Sequence, residues 1–332
     1  MGHMTLAPER RDVPDLVRGR QPQPHPAAAQ QAPAAVVMVR PHHFTPNPET
    51  LVDNEFMSVP DAAPEEVARA AYREVTVMAE QLRAAGVEVH LVEDTGRATP
   101  DSVFPNNWFT THPDGSLVLY PMRSPVRRWE RRADVVGMLY GRYRIARTRD
   151  YSAWEEVGRY LEGTGVMVLD HVYRIAYVCR SGRADERLLE LFCAEHDYRP
   201  VVFDATDSEG VPIYHTNVMM AVGTRVAIVA LETVRDTTQR ARLVHELEQS
   251  GREVVSITEA QMGEFAGNAL EVLAGGSPLL VMSARGWRSL DRDQRRRLES
   301  HHEVLPVEVP TIEHAGGSAR CMLAGIHAPR RD

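Results

Sequence analysis

Side chains able to do chemistry occur in five short segments that lie far apart in the chain. Together the segments hold a thiol, an imidazole, carboxylates and several amides. A thiolate can attack a trigonal carbon, an imidazole can move protons, and a carboxylate can orient and charge the imidazole or activate water. If the fold brings the segments together, they form a cysteine-dependent active site. The segments are Asp101 with FPNN (104–107), EGTG (162–165), HTN (215–217), GN (267–268) and GGSARC (316–321).

The composition excludes several other kinds of chemistry. All 38 Lys+Arg among the 332 residues are arginine, so a Schiff base and a P-loop lysine are excluded. The 46 acidic residues give a formal net charge of -8, which is the wrong sign for binding nucleic acid or an anionic membrane. We therefore expect a small-molecule partner, and the sequence leaves a homo-oligomer open.

The cysteines limit the cellular setting. Cys179, Cys193 and Cys321 have neither CxxC nor metal-ligand spacing, which predicts a reduced, cytoplasmic protein without a disulfide framework. No apolar window approaches the roughly 18 residues of a membrane span, and no secretory signal is visible. HPDG (112–115) is explained as a turn, so we expect neither a metal nor an organic cofactor.

A unit of helix, glycine or turn, and strand recurs along the chain. Between Pro64 and Glu93, apolar residues first follow helical spacing and then, after Gly86, alternate as in a strand. Hairpins separate the units, because pairs of short apolar strands flank Gly-containing turns. Further helix-strand units are predicted at 130–147, 185–204, 237–257 and 289–308. The hairpin sequences are NNWFTTH with SLVLYP, GVMVLD with RIAYVC, NVMMAV with RVAIVA, and ALEVLAG with PLLVMS.

The hairpins recur at a nearly constant distance in the sequence. Their starts are 50 to 57 residues apart, and a period of this size indicates a closed array of similar supersecondary units. In such an array the ends of the hairpins converge on one central cavity, where we expect a ligand. The predicted starts are Asn106, Gly163, Thr216, Gly267 and Gly317.

The two ends of this array can complete each other. ARCMLAGIHA (319–328) is a single strand with no helix after it, and VVMVRP (36–41) is a strand with no hairpin partner. We predict that they pair, which gives a single α/β domain over residues 34–330. Its fold is a five-bladed propeller of ββαβ repeats with pseudo-fivefold symmetry. Residues 1–33, rich in Pro, Ala and Gln, are predicted to be a disordered, tag-bearing segment.

Seven motifs in the chain occur together in a fixed order. They are MVRP (38–41), DSVFPNNWFTTHPDG (101–115), RRWE (127–130), LEGTG (161–165), YHTNVMM (214–220), QMGEFAGN (261–268) and GGSARCM (316–322). This set resembles the guanidine-modifying, amidinotransferase-like superfamily of penteins, and the resemblance extends from Val37 to His327. Within the superfamily, FPNNW and GGSARC most resemble citrulline-utilisation hydrolases of the CtlX type. The resemblance implies the five-bladed pentein fold and a reaction without a cofactor.

The resemblance also implies a catalytic triad. Cys321 matches the nucleophile, His215 matches the general acid and base, and Glu162 matches the acidic member. Cys179 and Cys193 have no such context, and we interpret them as buried structural residues.

Further matches concern substrate binding. Asp101 matches an active-site acid of the DSVF motif. Arg127 and Arg183 match positions that hold the amino-acid end of the substrate in related enzymes. Neighbouring arginines are alternatives to these two: Arg123, Arg128 and Arg180.

Asn107 and Asn217 depart from the wider superfamily, because enzymes acting on arginine commonly have Asp at these positions. A carboxylate holds a guanidinium well. An amide donates as well as accepts, so it can bind both the NH₂ group and the carbonyl oxygen of a neutral ureido group. The alternative is that both side chains only satisfy backbone groups at strand ends.

The sequence therefore predicts a hydrolase of non-peptide C–N bonds, with citrulline or a close analogue as substrate. Ornithine, ammonia and CO₂ are the expected products, formed through an S-carbamoyl-type intermediate on the cysteine. Two other enzyme classes remain open, an arginine deiminase or dihydrolase and an amidinotransferase. A non-catalytic propeller used for binding is the alternative from a different class.

Overall fold

A ββαβ unit recurs in the structure, a computed structural model that describes residues 30–50 and 54–331. Most of the predicted disordered segment therefore lies outside the described residues. The strands are β1 (Ala35–Pro41), β2 (Glu88–Asp94), β3 (Phe109–Thr111), β4 (Ser116–Leu119), β5 (Arg147–Asp150), β6 (Val168–Asp170), β7 (Ile175–Cys179), β8 (Arg199–Phe203), β9 (Met220–Val222), β10 (Val226–Val229), β11 (Glu253–Ser256), β12 (Leu270–Ala274), β13 (Ser277–Ser283), β14 (Glu303–Val307) and β15 (Ala324–Ile326). The helices are α1 (Pro64–Ala84), α2 (Ala133–Arg142), α3 (Gly163–Val166), α4 (Glu186–His196), α5 (Thr216–Met219), α6 (Thr237–Gln249), α7 (Glu259–Gly263), α8 (Ala284–Ser289), α9 (Arg292–Glu299) and α10 (Pro310–Glu313).

The strands form five three-stranded sheets of one design. In each sheet the middle strand pairs antiparallel with one neighbour and parallel with the other. A helix joins the two parallel strands, because such a connection must cross over the sheet. This is the ββαβ repeat that the sequence predicts. The strand orders are β15-β1-β2, β3-β4-β5, β6-β7-β8, β11-β10-β9 and β12-β13-β14.

Helix α1 shows how the apolar pattern forms one of these units. Val67, Val75 and Leu82 lie on its buried face, at the spacing that the sequence predicts. After the helix, Gly86 takes a φ of +93°, a left-handed conformation that glycine adopts without strain. Strand β2 follows. The other four predicted units also form, as α2 with β5, α4 with β8, α6 with β11 and α9 with β14.

Strands from opposite ends of the described chain complete one sheet. Strand β15 pairs antiparallel with β1, with Ile326 opposite Ala35 and Ala324 opposite Val37. The predicted pairing of these strands is confirmed, and it makes β1 the middle strand of its sheet. Because Cys321 lies just before β15, the same pairing anchors the segment that carries its thiol.

The predicted hairpins are wrong at their first residues. The sequence predicts Asn106, Gly163 and Thr216 as strand starts, but all three lie in short helical turns. Pro105 favours such a turn because its φ is fixed near the helical value and it has no N–H to leave unpaired. Gly163 has a φ of +45°, which lies outside the β region. The chemically active residues therefore sit on turns ahead of the strands.

The antiparallel edge strand of each sheet contributes to one common cavity, which is lined by residues of β3, β6, β9, β12 and β15. Gln31 spans this cavity. Its Nε2 donates to the backbone oxygens of Leu169 at 3.0 Å and Val222 at 2.9 Å, and its Oε1 accepts from the backbone N–H of His171 at 2.9 Å. Gln31 is 7% exposed, so the residues just before β1 contribute to the fold.

Apolar side chains fill the space between the sheets and the helices. The largest of those fully buried include Trp108, Tyr120 and Tyr177. Phe109 and Leu117 are also fully buried, and burying a Phe or Leu side chain stabilises the folded state by roughly 1.5–3 kcal/mol. Among the described helices, none is long and apolar enough to cross a membrane.

Candidate active site

The three residues of the predicted triad come from different ββαβ units. Glu162 immediately precedes α3, His215 immediately precedes α5, and Cys321 lies shortly before β15. Each residue is at most 3% exposed. Nε2 of His215 lies 2.8 Å from Oε2 of Glu162. His215 and Cys321 line one cavity, which we call the site cavity, so the structure brings the triad together.

Neighbouring charges set the protonation of the Glu162 and His215 pair. Burial alone would raise the pKa of Glu162, but Arg183, the hydrogen bond from His215 and Arg127 together hold it well below its usual range. Burial lowers the pKa of His215 to about 4, because Glu162 opposes this effect only in part. At neutral pH an ionised Glu162 therefore accepts the Nε2–H of a neutral imidazole, and Nδ1 remains as the proton acceptor.

Gly165 allows this site to close up. A Cβ atom at this position would lie 2.2 Å from Nδ2 of Asn107 and 2.8 Å from the His215 ring. No side chain larger than hydrogen fits there without moving one of the two. The glycines of EGTG therefore permit close approach between two of the active segments, a role that sequence reasoning missed.

Two amide side chains donate to the sulfur of Cys321. Nδ2 of Asn217 lies 3.3 Å from the sulfur, and Nδ2 of Asn268 lies 3.2 Å from it. Asn217 is predicted to bind substrate, yet it is not among the described residues that line the site cavity. The sequence predicts no role for Asn268. The GN segment (267–268) shows that a polar side chain is present there, but it does not show that this side chain contacts Cys321.

Asp101 and Asn107 both line the site cavity. Oδ2 of Asp101 accepts from Asn47 at 2.8 Å, and Oδ1 of Asn107 accepts from Arg127 at 3.1 Å. Among the described residues, Oδ1 of Asp101 and Nδ2 of Asn107 have no hydrogen-bond partner. Burial raises the pKa of Asp101, and Arg127 opposes this. Because a guanidinium only donates, Arg127 fixes which end of the Asn107 amide it contacts.

Arg127 and Arg183, which the sequence predicts to bind substrate, both line the site cavity. Nε and Nη2 of Arg127 each lie 2.9 Å from an oxygen of Glu130. Nη1 of Arg183 lies 3.4 Å from Oε2 of Glu162, and its guanidinium lies 4.9 Å from the centre of the Tyr214 ring. Sequence reasoning missed Glu130, although its i, i+3 spacing from Arg127 is a signal for such a pair. The alternative arginines do not line the cavity in the described structure: Arg123, Arg128 and Arg180.

The other two cysteines are buried. Burial raises the pKa of Cys179 and of Cys193 to about 12, so both remain thiols at neutral pH. Asp114 of the HPDG segment accepts from the Ser116 backbone N–H at 2.9 Å, as expected for turn chemistry. Within residues 30–50 and 54–331, no group of three or more His, Cys, Asp or Glu side chains is arranged to hold a metal ion.

Several solved structures have a similar fold. The N-terminal domain of ArgZ, an arginine dihydrolase from the ornithine-ammonia cycle in cyanobacteria, is 16% identical with a TM-score of 0.67, covering 88% of this chain and 99% of that domain. A dimethylarginine dimethylaminohydrolase is 14% identical with a TM-score of 0.60, covering 88% and 98%. Unliganded AgrE is 18% identical with a TM-score of 0.68, and the match spans 90% of this chain but 40% of AgrE. The fold is that of the pentein superfamily.

The sequence defines the family more narrowly. The profile of N,N dimethylarginine dimethylhydrolase, eukaryotic, matches residues 40–328. The chain therefore belongs to this family of guanidino hydrolases, and the predicted membership of the guanidine-modifying superfamily is confirmed. No curated protein matches the chain in sequence.

Proposed function

We propose that the protein is a cysteine hydrolase that acts on the ureido group of citrulline or a close analogue, like the CtlX-type enzymes that its motifs resemble. The main support is a pair of buried polar atoms on residues that line the site cavity, Nδ2 of Asn107 and Oδ1 of Asp101, which have no hydrogen-bond partner among the described residues. A ureido group complements both, because its carbonyl oxygen accepts from the amide and its NH₂ donates to the carboxylate. A guanidinium has only donors and would leave the amide unpaired, at a cost of roughly 1–3 kcal/mol.

The first half of the proposed reaction transfers the ureido carbon to sulfur. Cys321 gives its proton to His215, the resulting thiolate attacks this carbon, and the electrons of the C=O bond move to the oxygen, to which Asn107 donates. The tetrahedral intermediate then expels ammonia, which takes the proton from His215. The product on the enzyme is a carbamoyl group that is bonded to sulfur and still carries the ornithine nitrogen.

The second half uses water. His215 takes a proton from the water as it attacks the carbamoyl carbon, and the C–S bond breaks to return Cys321. The released carbamate loses CO₂ and takes up a proton to give ornithine. Ionised Glu162 stabilises the imidazolium that forms in both halves. No step requires a metal or an organic cofactor.

The amino-acid end of the substrate is assigned to the two cavity arginines. A carboxylate is well matched to a guanidinium, which offers two parallel donors. Nε and Nη2 of Arg127 already contact Glu130, so Nη1 is the group it can offer. Arg183, whose guanidinium lies over the Tyr214 ring at the cavity wall, is the other anchor.

A second candidate is hydrolysis of arginine or an N-methylated arginine. It is favoured by the family profile and by the carboxyl group of Asp101 at the cavity wall, which could hold a guanidinium. Hydrolysis of arginine would give citrulline, and a dihydrolase would continue to ornithine. The ArgZ domain, which has the same fold, is an arginine dihydrolase.

We also infer that the five sheets are the blades of a propeller around one axis, within a single domain. One strand from each sheet lines the common cavity that Gln31 spans. The sheets share one strand arrangement, and the β1 and β15 pair supplies the blade whose strands are far apart in sequence. A closed ring explains both features.

The test is to incubate the purified protein separately with citrulline, arginine and N,N-dimethylarginine and to quantify ornithine, citrulline and ammonia. We expect ornithine and ammonia from citrulline only. Cys321→Ser should abolish the reaction, whereas the matched control Cys193→Ser should retain it. Products from arginine or dimethylarginine alone would favour the second candidate. If the protein turns over none of the three substrates faster than Cys321→Ser does, the result would instead favour a binding protein.

A further inference from the structure

We propose that Asn268 is a catalytic residue that stabilises Cys321 as a thiolate. The proposal deepens the proposed function, because it rests on Cys321 being the nucleophile. Asn268 follows the turn after α7, it is 0% exposed, and its Nδ2 lies 3.2 Å from the sulfur. None of the seven motifs assigns it a chemical task.

Backbone groups fix the orientation of the Asn268 amide. Its Oδ1 accepts from the backbone N–H of Arg320 at 3.0 Å, and a backbone N–H can only donate. Its Nδ2 donates to the backbone oxygen of Asn217 at 3.0 Å, and a carbonyl oxygen can only accept. The amide therefore cannot be flipped, and an N–H donor must face the sulfur.

The same contacts tie together the segments that carry the reacting groups. The Arg320 contact holds the residue before Cys321, and the Asn217 contact holds the α5 turn that follows His215. Gly267 allows this approach, because a Cβ atom there would lie 2.5 Å from the backbone oxygen of Val218. One side chain thus positions the sulfur relative to the turn that carries the imidazole.

The turn before Asn268 carries backbone strain. Phe265 has a φ of +62°, a left-handed conformation that is costly for a bulky residue and is often found at functional sites. Its carbonyl accepts from the backbone N–H of Asn268 at 3.0 Å. The buried Phe265 ring packs against Phe56, with ring centres 5.8 Å apart, so packing holds the strained turn that aims the amide.

Two N–H donors on one sulfur favour its anionic form. Asn217 supplies the second donor at 3.3 Å. A neutral thiol is a weak acceptor, whereas a thiolate gains strong, charge-assisted hydrogen bonds. As the C–S bond forms, the sulfur loses its negative charge, and as that bond breaks the charge returns. Asn268 therefore acts both on the supply of the nucleophile and on its departure as a leaving group.

Alkylation of Cys321 by iodoacetamide tests this inference without any substrate. The rate is followed from pH 5.5 to 10 by mass spectrometry of the peptide containing Cys321, for the protein and for Asn268→Asp. This variant keeps the oxygen facing Arg320 but places a negative charge beside the sulfur. Gln249→Glu is the control, because it makes the same kind of amide-to-acid change at an exposed residue at the end of α6.

We expect Asn268→Asp to lower the alkylation rate at pH 7.5 by about tenfold or more, with recovery towards the rate of the unmodified protein at pH 10. Gln249→Glu should leave the profile unchanged. An unchanged profile in Asn268→Asp would overturn the inference. So would an equal loss at every pH, which indicates a structural role.

Alkylation of Cys179 or Cys193 in Asn268→Asp would show that this variant is unfolded. The alkylation rates are then measured for Asn268→Ala instead, and the inference is judged by the same criteria. If this variant is also labelled at those thiols at pH 7.5, Asn268 serves folding and the inference is overturned. Because alkylation needs no substrate, a failed citrulline assay with a shifted alkylation profile rejects the proposed function but not this inference. A successful citrulline assay with an unchanged alkylation profile in Asn268→Asp rejects this inference but not the proposed function.

Discussion

Replacing Asn107 with aspartate tests the basis of substrate choice, because the two side chains have nearly the same shape. Oδ1 of Asn107 accepts from Arg127 at 3.1 Å, and Nδ2 has no partner among the described residues. The substitution keeps the contact with Arg127 and exchanges the free donor for an acceptor that carries charge. It changes hydrogen-bond polarity at the cavity wall while leaving packing almost intact.

The expected magnitude follows from the atoms involved. A ureido carbonyl oxygen would lose its donor and face a carboxylate oxygen, at a cost of roughly 1–3 kcal/mol. A guanidinium would gain a charge-assisted hydrogen bond, which is reduced because Arg127 already neutralises part of the new charge. The two effects act in opposite directions on the two substrates. The ratio of kcat/KM for citrulline to that for arginine should therefore fall on the order of 100-fold in Asn107→Asp.

The assay measures kcat/KM for both substrates in the protein, in Asn107→Asp and in Asn106→Asp. Asn106 is the matched control because it is equally buried and adjacent in sequence, yet it is not among the described residues that line the site cavity. We expect its substitution to change the ratio much less. The reasoning is refuted if Asn107→Asp leaves the ratio unchanged, or if both variants change it equally.

Three further predictions concern pH, a buried ion pair and a glycine. Burial lowers the pKa of His196 and His327 to about 4, below the roughly 6.5 of a histidine in an unfolded chain. Between these two pH values the unfolded state binds more protons than the folded state, so the urea midpoint of unfolding should fall as the pH drops from about 6.5 to 4. A midpoint that stays constant over that range would contradict this prediction. Glu130→Gln breaks a buried pair and should lower the free energy of unfolding by roughly 3 kcal/mol, measured by urea titration; a change within error would show that the pair contributes nothing. Gly165→Ala should lower kcat/KM about 100-fold, because the added Cβ displaces Asn107 or His215. Gly137→Ala is the control and should leave kcat/KM unchanged, since nothing lies within 4 Å of its added Cβ. Equal effects of the two substitutions would refute the steric argument.

The repeating part of the fold could be predicted from the sequence because each unit is local. The apolar spacing of α1, the glycine after it and the alternation in β2 all lie within about 30 consecutive residues, as a helix and a short strand require. The pairing of β1 with β15 could be predicted only because the repeat left one strand unpartnered at each end. Cys321, His215 and Glu162 could be assigned because a recognisable motif surrounds each of them.

The contacts that depend on distances between units could not be predicted. Asn268 reaches Cys321 because two turns about 50 residues apart approach closely, and no spacing in the sequence encodes that approach. The segment containing Gln31 has a composition typical of disorder, yet one amide pairs with backbone groups of two sheets. The hairpin starts were misplaced since a helical turn of three or four residues is too short to show a period.

The pairing of β1 with β15 also has a consequence for how the protein is made. During synthesis β15 emerges from the ribosome after every other described strand, so β1 must wait for its antiparallel partner while the other sheets can already form. Contacts between residues so far apart in sequence form slowly, because a long loop must close first. Cys321 emerges only three residues ahead of β15. The nascent chain therefore acquires its nucleophile and its closing strand at almost the same moment, and an unfinished chain has no reactive centre.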